Sequence, residues 1–579
     1  MESLGTSQTE VAENSGVMCE MRSAPRQGLW ESRLAPFFEK HFLLLCICLI
    51  GVASFRVIST YSALSLTSDE PIHLACGMEY VARHVYRIEA QHPPLSRGFQ
   101  ALGPYLAGVR PLGLPDKDDE GYAEIARSGN VGRTIFLMRL GNLPFFLLAC
   151  LVVCSWSQHA FGKPISVVAT GLFTMLPPAL ADAGLATTDT ALGATVGIAF
   201  YVAILWVEVP TWRRTVLLGF CTALACLSKF TALGYLPAAA SFALIAYLAV
   251  RWPGVHELWR QAKRRAIMIP LATVITLLVI WAGYWFSIGI TKVPHMPISL
   301  RLPAPKFLDG IRAALAHNRL GHPAYLLGEF RTTGWWYYFP VALAVKIPLA
   351  LLILFALGVF VCLKKRKDPA YLLPLAFSLG ILIPAMRSHI DIGMRHIEPI
   401  YIALSIISAI GLRQMLQWRS TGAASFLTAG ALLIWLAISG AVHHPDYLSY
   451  FNEFAFRGPE NILVDSNYDW GQDFKLLAGR LHELGVTKFS LASSWQVKHD
   501  GELEAWYGLP TIKRANDFIP SPGWTVVSST YDKSSKFFEY GSSAKEFWYD
   551  KAVPKERVGS LLLYYTPLAA DTSAPPLAH

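Results

Sequence analysis

A succession of eleven apolar stretches, each long enough to cross a bilayer core of about 30 Å, constrains this chain more than any other feature. They lie at 41–62, 134–155, 164–182, 188–207, 215–229, 231–250, 266–288, 338–362, 371–386, 397–412 and 424–441. The fifth and sixth are almost continuous, so their separate count stays open. Hydrophobic residues make up 53% of the chain and charged residues only 16%, against about a quarter in soluble proteins. We therefore expect a polytopic α-helical membrane protein with its transmembrane domain at 41–441.

The net charge of +9, from 50 Lys and Arg against 41 Asp and Glu, is placed for a membrane and not for nucleic acid. Basic residues cluster in alternate short loops: Lys163; Arg213 and Arg214; Arg251, Arg260, Lys263, Arg264 and Arg265; Lys364, Lys365, Arg366 and Lys367; Arg413 and Arg419. Such loops stay cytoplasmic. The pattern predicts a plasma (inner) membrane protein with a cytoplasmic N-terminal segment, 1–40, and outer loops at 63–133 and 289–337. Residues 442–579 are then outside the cytoplasm.

The polar segment from 442 to 579 is predicted to form a small extracytoplasmic α/β domain. Its pattern predicts strand, helix and strand at 461–465, 472–485 and 487–492, with further strands at 524–528 and 560–565. The last of the nine cysteines is Cys362, so we expect this domain to fold without disulfides.

An acidic pair, Asp69-Glu70, directly follows the first apolar stretch. Acidic side chains at the end of a membrane helix usually face a cavity or a polar partner, because exposure to lipid is costly. The alternative is a solvated helix cap, with Asp69 capping a helix that begins near Pro71. Residues 72–90 predict an amphipathic helix, carrying Arg83, that suits the membrane interface. A loop with this acid and several cations suits an amphiphile with an anionic head.

Further ionisable residues gather at the same predicted face. Asp182 and Asp189 lie at the junction of the third and fourth stretches, where Asp189 is also explained as a residue at a positive helix end. Lys229 lies between the fifth and sixth stretches. The junction of the ninth and tenth stretches carries Arg387, His389, Asp391, Arg395, His396 and Glu398. Such a group of cations is suited to phosphate, which arginine binds bidentately.

The same positions carry short motifs in a consistent order. In the membrane part these are Asp69-Glu70, His92-Pro93-Pro94-Leu95, Thr187-Thr188-Asp189, Leu227-Ser228-Lys229-Phe230-Thr231, Gly328-Glu329, Trp335-Trp336-Tyr337-Tyr338-Phe339, Lys346-Ile347-Pro348 and Gly393-Met394-Arg395-His396-Ile397-Glu398-Pro399. Together they resemble the GT-C superfamily of polyprenyl-phosphate-dependent glycosyltransferases, close to the bacterial relatives of protein O-mannosyltransferases and lipid A aminoarabinose transferases. Two tail motifs, His444-Pro445-Asp446-Tyr447 and Asp465-Ser466-Asn467-Tyr468-Asp469-Trp470-Gly471-Gln472-Asp473, are similar to bacterial members with an extra C-terminal domain.

The resemblance implies an inverting transfer of a sugar, hexosyl or pentosyl, from a polyprenyl phosphate or diphosphate to an acceptor hydroxyl on a protein or glycolipid at the outer face of the bilayer. Asp69 matches the family's loop-one acid and is the expected general base. The other expected roles are Glu70 and Asp189 as supporting acids; Arg139, Lys229, Arg395 and His396 as donor-phosphate contacts; and Arg83, His92 and Glu329 in the substrate loops. Arg133 competes with Arg139 for its role. Glu398 departs from the family, which often has an apolar residue there.

Cofactor use and two other functional classes are open from the sequence. No metal is expected, because the cations already compensate a phosphate, although Asp69, Glu70, Asp182 and Asp189 supply enough oxygens for a divalent ion. A lipid-linked-sugar transporter or flippase usually shows internal repeats and ionisable residues within its spans, and neither is visible. A non-catalytic membrane scaffold leaves the acids at the outer face without a purpose.

Overall fold

The computed structural model describes residues 30–252, 254–292, 299–418, 422–494, 498–538 and 546–567. Residues 1–29 of the predicted N-terminal segment, and Arg419 of the basic clusters, lie outside these ranges. Most of the described chain is helical, and a small sheet lies near its C-terminal end. The predicted class, a polytopic helical protein with a small C-terminal α/β region, is confirmed.

Every predicted apolar stretch contains helix. After a π-helical turn at Trp30–Leu34, the helices of this part are α1 (Ala35–Lys40), α2 (Phe42–Thr60), α3 (Glu70–Arg83), α4 (Pro94–Leu106), α5 (Lys117–Ala126), α6 (Val131–Leu140), α7 (Leu143–Phe161), α8 (Lys163–Thr174), α9 (Pro177–Ala183), α10 (Asp189–Glu208), α11 (Trp212–Ser228), α12 (Ala232–Val250), α13 (Val255–Arg265), α14 (Met268–Gly283), α15 (Pro305–Leu320), α16 (Tyr338–Lys346), α17 (Leu349–Lys364), α18 (Pro369–Ala385), α19 (Ile400–Leu416) and α20 (Gly422–Val442).

The predicted count of eleven spans is not confirmed. By length and composition, five helices of the described ranges are able to cross a membrane, or up to eight if each bent pair is one span. The difference arises because several stretches are bent, and because α18 and α19 have only 17 residues each.

The sharpest bend, 118°, joins α16 to α17. A proline disfavours the helical conformation of the residue before it, and Ile347, which precedes Pro348, is extended at φ −93° and ψ 133°. Lys346 ends α16 at this bend. Its ammonium donates to the carbonyl oxygens of Leu448 and Asn467, at 2.8 and 2.7 Å. The bend therefore directs a buried cation towards the C-terminal segment.

Helices α17 and α19 approach one another at two glycines, Gly358 and Gly411. A Cβ atom at Gly358 would collide with the carbonyl oxygen of Ile407, and one at Gly411 with that of Leu354. Small residues allow such contact between membrane helices. Since α19 is buried along almost its whole length, it forms the centre of the bundle and supports the segment that precedes it.

The first outer loop folds into three helices, α3, α4 and α5, of which α3 packs on the other two. The predicted helix at 72–90 ends earlier, because His84 adopts a left-handed conformation (φ 55°) directly after α3. Gly77 lies against the backbone of Arg97 in α4, and most of α3 is buried. The helix packs against α4 and α5, and its predicted position at the membrane interface stays a prediction.

The strands form two hairpins and one mixed sheet. They are β1 (Ile288–Lys292), β2 (Ser299–Pro303), β3 (Ala324–Leu326), β4 (Glu329–Arg331), β5 (Lys488–Ala492), β6 (Thr511–Arg514), β7 (Gly523–Ser528), β8 (Glu556–Val558) and β9 (Leu561–Thr566), with helices α21 (Phe474–Glu483), α22 (Asp500–Tyr507), α23 (Ser529–Phe538) and α24 (Trp548–Lys551) in the C-terminal region. The sheet has the order β6-β5-β7-β9-β8. Strand β5 is parallel to β6 and β7, with Lys488 opposite Thr511 and Ser490 opposite Thr525, and the other pairs are antiparallel.

The predicted elements of the tail agree with this sheet at all but one position. The helix at 472–485 and the strands at 487–492, 524–528 and 560–565 are confirmed. The strand at 461–465 is wrong, because this stretch forms 3₁₀ turns at Pro459–Asn461 and Asp465–Asn467. Asp465 has a positive φ of 60°, which an extended strand does not accommodate.

Hydrophobic packing joins the start of the predicted C-terminal domain to the helical core. Tyr447, Phe451, Tyr468 and Trp470 belong to the same buried cluster as the helices of the bundle, whereas a separate cluster begins at Phe474. The domain boundary at 442 stays a prediction, and the residues just after it are part of the bundle's core.

Candidate active site

A cavity of about 720 Å³ lies where the predicted outer ends of the helices meet. Its wall is built from the start of α3, the connection from α3 to α4, the break between α11 and α12, helix α15 and the segment between α18 and α19. Polar groups in the wall include Asp69, His73, Glu89, Gln91, His92, Arg97, Lys117, Lys229, His317, Asn318, His322, Arg387, Arg395 and His396, beside the apolar Ile72, Phe230, Leu233, Ile311 and Leu315. This lining suits an amphiphile with an anionic group.

Four charged side chains from different parts of the sequence form one continuous chain at the cavity wall. Arg395 Nη1 lies 2.9 Å from Asp69 Oδ2 and 3.7 Å from Asp189 Oδ2. Lys229 Nζ lies 2.5 Å from the other carboxylate oxygen of Asp189. The Asp69 side chain is 34% exposed and that of Asp189 only 1%. Of these two acids, Asp69 is therefore the one that a substrate in the cavity can reach.

Three of these side chains stand at helix ends, and Arg395 lies in the 3₁₀ turn Met394–Ile397 before α19. Asp69 precedes α3 but makes no side-chain cap hydrogen bond, so a capping role does not account for its position. Asp189 is the first residue of α10. Lys229 follows α11 in an extended conformation (φ −157°, ψ 142°) at the break before α12. Because these helix ends lie on one side of the bundle, their ionisable side chains converge there.

The charges of these four side chains stabilise one another. Burial alone would raise the pKa of the Asp69 carboxyl, but the Arg395 guanidinium outweighs it, and the pKa lies below its ordinary value of 3.8. Burial alone would lower the pKa of Arg395, and Asp69 and Asp189 raise it instead. Asp69 is thus a carboxylate at neutral pH, and Arg395 is a guanidinium cation.

Glu70 and Arg139 form a second pair, apart from the cavity. Arg139 Nε and Nη2 donate to the two carboxylate oxygens of Glu70, at 2.8 and 2.7 Å, and neither side chain is exposed. The remaining N–H groups of Arg139 donate to the carbonyl oxygens of Tyr61, Leu64 and Ser65. Neither residue lines the cavity, so their positions do not support the predicted roles as supporting acid and donor-phosphate contact.

The other predicted residues divide between the cavity and the surface. His92 and His396 line the cavity, and in the described ranges Nε2 of His396 has no hydrogen-bond partner. Arg83 donates to the carbonyl oxygen of Pro111 at 3.3 Å, near the protein surface. Glu329 pairs with Arg331, and both are exposed residues of strand β4. Since Arg83 and Glu329 are not in the cavity wall, the structure does not bring them to the other site residues.

A buried cation beside His92 was not predicted from the sequence. Arg97, in the first turn of α4, forms an ion pair with Glu89 and donates to Tyr86 and to Nδ1 of His73, at 2.8 and 2.9 Å. Burial alone would raise the pKa of Glu89, but Arg97 lowers it. The sequence feature that could have identified Arg97 is its position three residues after Pro94, in the first turn of the helix that directly follows the His92 motif.

The remaining predicted acids lie behind the cavity wall. Asp182 and Glu398 are both buried, and Glu398 packs against Gly193 of α10. In the described part of the chain, no three His, Cys, Asp or Glu side chains form a group able to hold a metal ion. Metal independence stays a prediction.

Comparison with protein-family models finds no match, and neither does comparison with curated proteins. Among solved structures, the chain is similar to ArnT from Cupriavidus metallidurans, in the apo state and bound to undecaprenyl phosphate. Each of these has 13% sequence identity and a TM-score of 0.48, over 89% of this chain and 97% of that one.

The chain is also similar to the archaeal oligosaccharyltransferase AglB from Archaeoglobus fulgidus, in complex with an inhibitory peptide and a dolichol-phosphate. Here the identity is 10% and the TM-score 0.48, over 85% of this chain and 70% of that one.

Proposed function

We propose that this protein is a membrane glycosyltransferase that moves a sugar from a polyprenyl-phosphate donor to an acceptor hydroxyl, with Asp69 as the general base. The observation that carries the proposal is the contact of an accessible carboxylate, Asp69, with Arg395 at the wall of a cavity that Lys229 also lines. A general base and cations for a phosphate leaving group are the two requirements of such a transfer.

The side chains have complementary parts in this reaction. The acceptor oxygen attacks the anomeric carbon from the face opposite the phosphate, and its proton passes to the Asp69 carboxylate. The new glycosidic bond forms as the bond from the anomeric carbon to the phosphate oxygen breaks, which inverts the anomeric configuration. Arg395 and Lys229 stabilise the charge that develops on the departing polyprenyl phosphate.

The apolar part of the cavity suits the prenyl chain of such a donor. Phe230 and Ile311 line it together with Leu233 and Leu315, whose exposed fractions are 39% and 54%. Exposed leucines at the mouth of a polar cavity are costly in water and favourable beside lipid. The lipid chain is proposed to leave the cavity between α12 and α15, while its phosphate stays at the cations.

The proposed reaction occurs at the outer face of the plasma (inner) membrane, with the N-terminal segment in the cytoplasm and the C-terminal region outside. Loop-charge bias supports this orientation, and the charged chain at helix ends on one side of the bundle is compatible with it. A transporter would instead place its substrate site near the midplane of its spans.

Mass spectrometry of surface glycans and glycoproteins, from cells with and without the gene, tests the transfer and identifies the sugar and the acceptor. Wild-type protein should restore the modification that gene loss removes, and Asp69→Asn should not. Asp116→Asn is the matched control, because Asp116 is an exposed N-cap of α5 and asparagine caps equally well.

Unchanged glycans on gene loss would overturn the proposed transferase function. Restoration by Asp69→Asn at wild-type level, with equal membrane insertion, would leave the transferase in place but move the base to another acid, with Asp189 next in line.

A further inference from the structure

The C-terminal motif Asp465–Gln472 contacts Arg395, one of the four linked charged side chains. It has no part in the mechanism above. Ser466 Oγ accepts a hydrogen bond from Arg395 Nε at 3.1 Å and donates to the carbonyl oxygen of Ile392 at 2.6 Å. A Cβ atom at Gly393 would collide with this hydroxyl. The glycine therefore leaves the Ser466 hydroxyl room to bind both the Arg395 side chain and the carbonyl oxygen of Ile392.

Trp470 contacts Arg395 and the backbone next to Asp69. Its ring lies beneath the Arg395 guanidinium, with the central carbon 4.0 Å from the ring centroid. Its carbonyl oxygen accepts a hydrogen bond from the backbone N–H of Ser68, the residue before Asp69, at 3.2 Å. Trp470 is only 2% exposed, so its position is determined by packing. Its two contacts set the position of Arg395 relative to Asp69.

The segment is itself held by the helical bundle. The Asn467 side chain accepts from the backbone N–H of Met394 at 3.0 Å and donates to the Tyr338 hydroxyl at 2.9 Å. The backbone carbonyl oxygen of Asn467 accepts a hydrogen bond from Lys346 at the α16–α17 bend. Gln472 continues the contact, because its carbonyl oxygen accepts from the N–H of Ser65 at 2.9 Å. Both sides of the segment are therefore anchored.

One edge of the guanidinium is left for a ligand. Nε is bound to Ser466, Nη1 to Asp69, and one face to the Trp470 ring. In the described part of the chain, Nη2 has no hydrogen-bond partner, and Arg395 lines the cavity. A guanidinium held on three sides presents its remaining N–H groups in one direction, which pre-organises it for an anionic oxygen.

We propose that the segment Asp465–Gln472 is a positioning element of the active site, with Ser466 and Trp470 as positioning residues that orient Arg395 towards the donor phosphate and keep it beside Asp69. This inference rests on the proposed function, since it assigns the segment to the same site. It also gives the C-terminal region a role in catalysis, because the two residues act through Arg395 and need not touch the substrate.

The test measures two quantities in purified protein: binding of undecaprenyl phosphate in nanodiscs by native mass spectrometry, and the pH dependence of transfer on the donor identified from the glycans. Trp470→Leu removes the ring, Ser466→Ala removes the hydroxyl, and Trp470→Phe keeps an aromatic face. Trp548→Leu is the control, because Trp548 also lies in the C-terminal region but contacts Tyr549 and Tyr564 and not Arg395.

Trp470→Leu and Ser466→Ala should bind undecaprenyl phosphate roughly tenfold more weakly, as expected for loss of one cation–π or charge-assisted contact. They should also move the acid limb of transfer to higher pH, because a loosened Arg395 lowers the pKa of Asp69 less. The titratable and charged groups that act on Asp69 are Arg395, His92 and Lys229, together with Asp118 and Asp465. Trp470→Phe and Trp548→Leu should remain near wild type.

Wild-type binding and an unmoved acid limb in both Trp470→Leu and Ser466→Ala, with wild-type protein active, would overturn the positioning role and leave the proposed function standing. If Trp470→Leu does not fold, Ser466→Ala decides the question alone. A wild-type protein that neither binds undecaprenyl phosphate nor transfers a sugar would overturn the proposed function and this inference with it.

Discussion

Replacing Glu70 with glutamine is expected to destabilise the whole protein, although the same kind of change at the adjacent Asp69 should leave it folded. Glu70 accepts five hydrogen bonds: two from Arg139, two from the N–H and hydroxyl of Thr67, and one from the N–H of Ala186. It therefore ties the end of the first apolar helix to α6 and to the α9–α10 junction. Within the ranges that the structure describes, Asp69 has one ion-pair partner, Arg395, and it lines the cavity.

The magnitude follows from complete burial of the pair. Both side chains are 0% exposed, so glutamine would leave the Arg139 guanidinium charged, buried and without a counter-ion. Loss of one partner of a buried ion pair costs about 3–5 kcal/mol. Since about 1.4 kcal/mol is a factor of ten in an equilibrium constant, the ratio of folded to unfolded protein should fall by roughly two to four orders of magnitude.

The assay is thermal unfolding of detergent-purified variants, followed by size-exclusion chromatography with fluorescence detection. Glu70→Gln should unfold at clearly lower temperature than wild type, and Asp69→Asn and Glu329→Gln should not. Glu329 is the matched control because its side chain is 61% exposed. Adding Arg139→Met to Glu70→Gln removes the unpaired charge, so part of the loss should be recovered. Full recovery is not expected, because the carbonyl oxygens that Arg139 serves lose their donor.

An unchanged unfolding temperature for Glu70→Gln, together with loss of sugar transfer, would refute this reasoning and return Glu70 to the catalytic acids.

Three further predictions concern the chemistry and the orientation of the site. Arg395→Gln should move the acid limb of the residual transfer activity to higher pH. Asp69 must be ionised to accept a proton, and without the guanidinium nothing from Arg395 opposes the rise in its pKa that burial causes. An unmoved limb in the pH profile of kcat/KM would contradict the Asp69 assignment. Alkaline phosphatase fused after Tyr450 should be active and the same enzyme fused after Lys365 inactive; the opposite pattern would reverse the orientation. Transfer by purified protein should persist in excess EDTA, and a complete loss that manganese or magnesium restores would make Asp69 and Asp189 metal ligands.

Positions at helix ends were the part of the site that could be predicted from the sequence. Asp69, Asp189, Lys229 and Arg395 each border an apolar stretch on the predicted outer side, and the structure brings them within one chain of contacts. Membrane helices constrain such positions strongly, because their ends lie at one of only two levels. Likewise, the alternating patterns of the tail predicted three of the sheet's strands.

Directions of side chains could not be predicted in the same way. Asp69 and Glu70 are neighbours in sequence, but successive residues of a helix point about 100° apart, so one faces the cavity and the other the interior. Arg139 lies close to the other predicted site residues along the membrane normal, but its side chain faces Glu70 and not the cavity. Arg97 was missed because its partners, Glu89 and His73, are defined only by the packing of α3 on α4. The Asp465–Gln472 contacts likewise depend on tertiary structure.

The dependence of Arg395 on Trp470 has a consequence for biosynthesis. A ribosome translates Asp69 before most of the membrane helices and Trp470 after all of them. A nascent chain that has inserted α20 therefore still lacks the ring and hydroxyl that orient its arginine. A premature stop codon after Val442 would yield a product that retains the apolar stretches needed for insertion but has no organised centre. Under the proposed function and positioning role, activity would begin only once translation has passed Trp470, and incomplete copies would not consume the donor lipid.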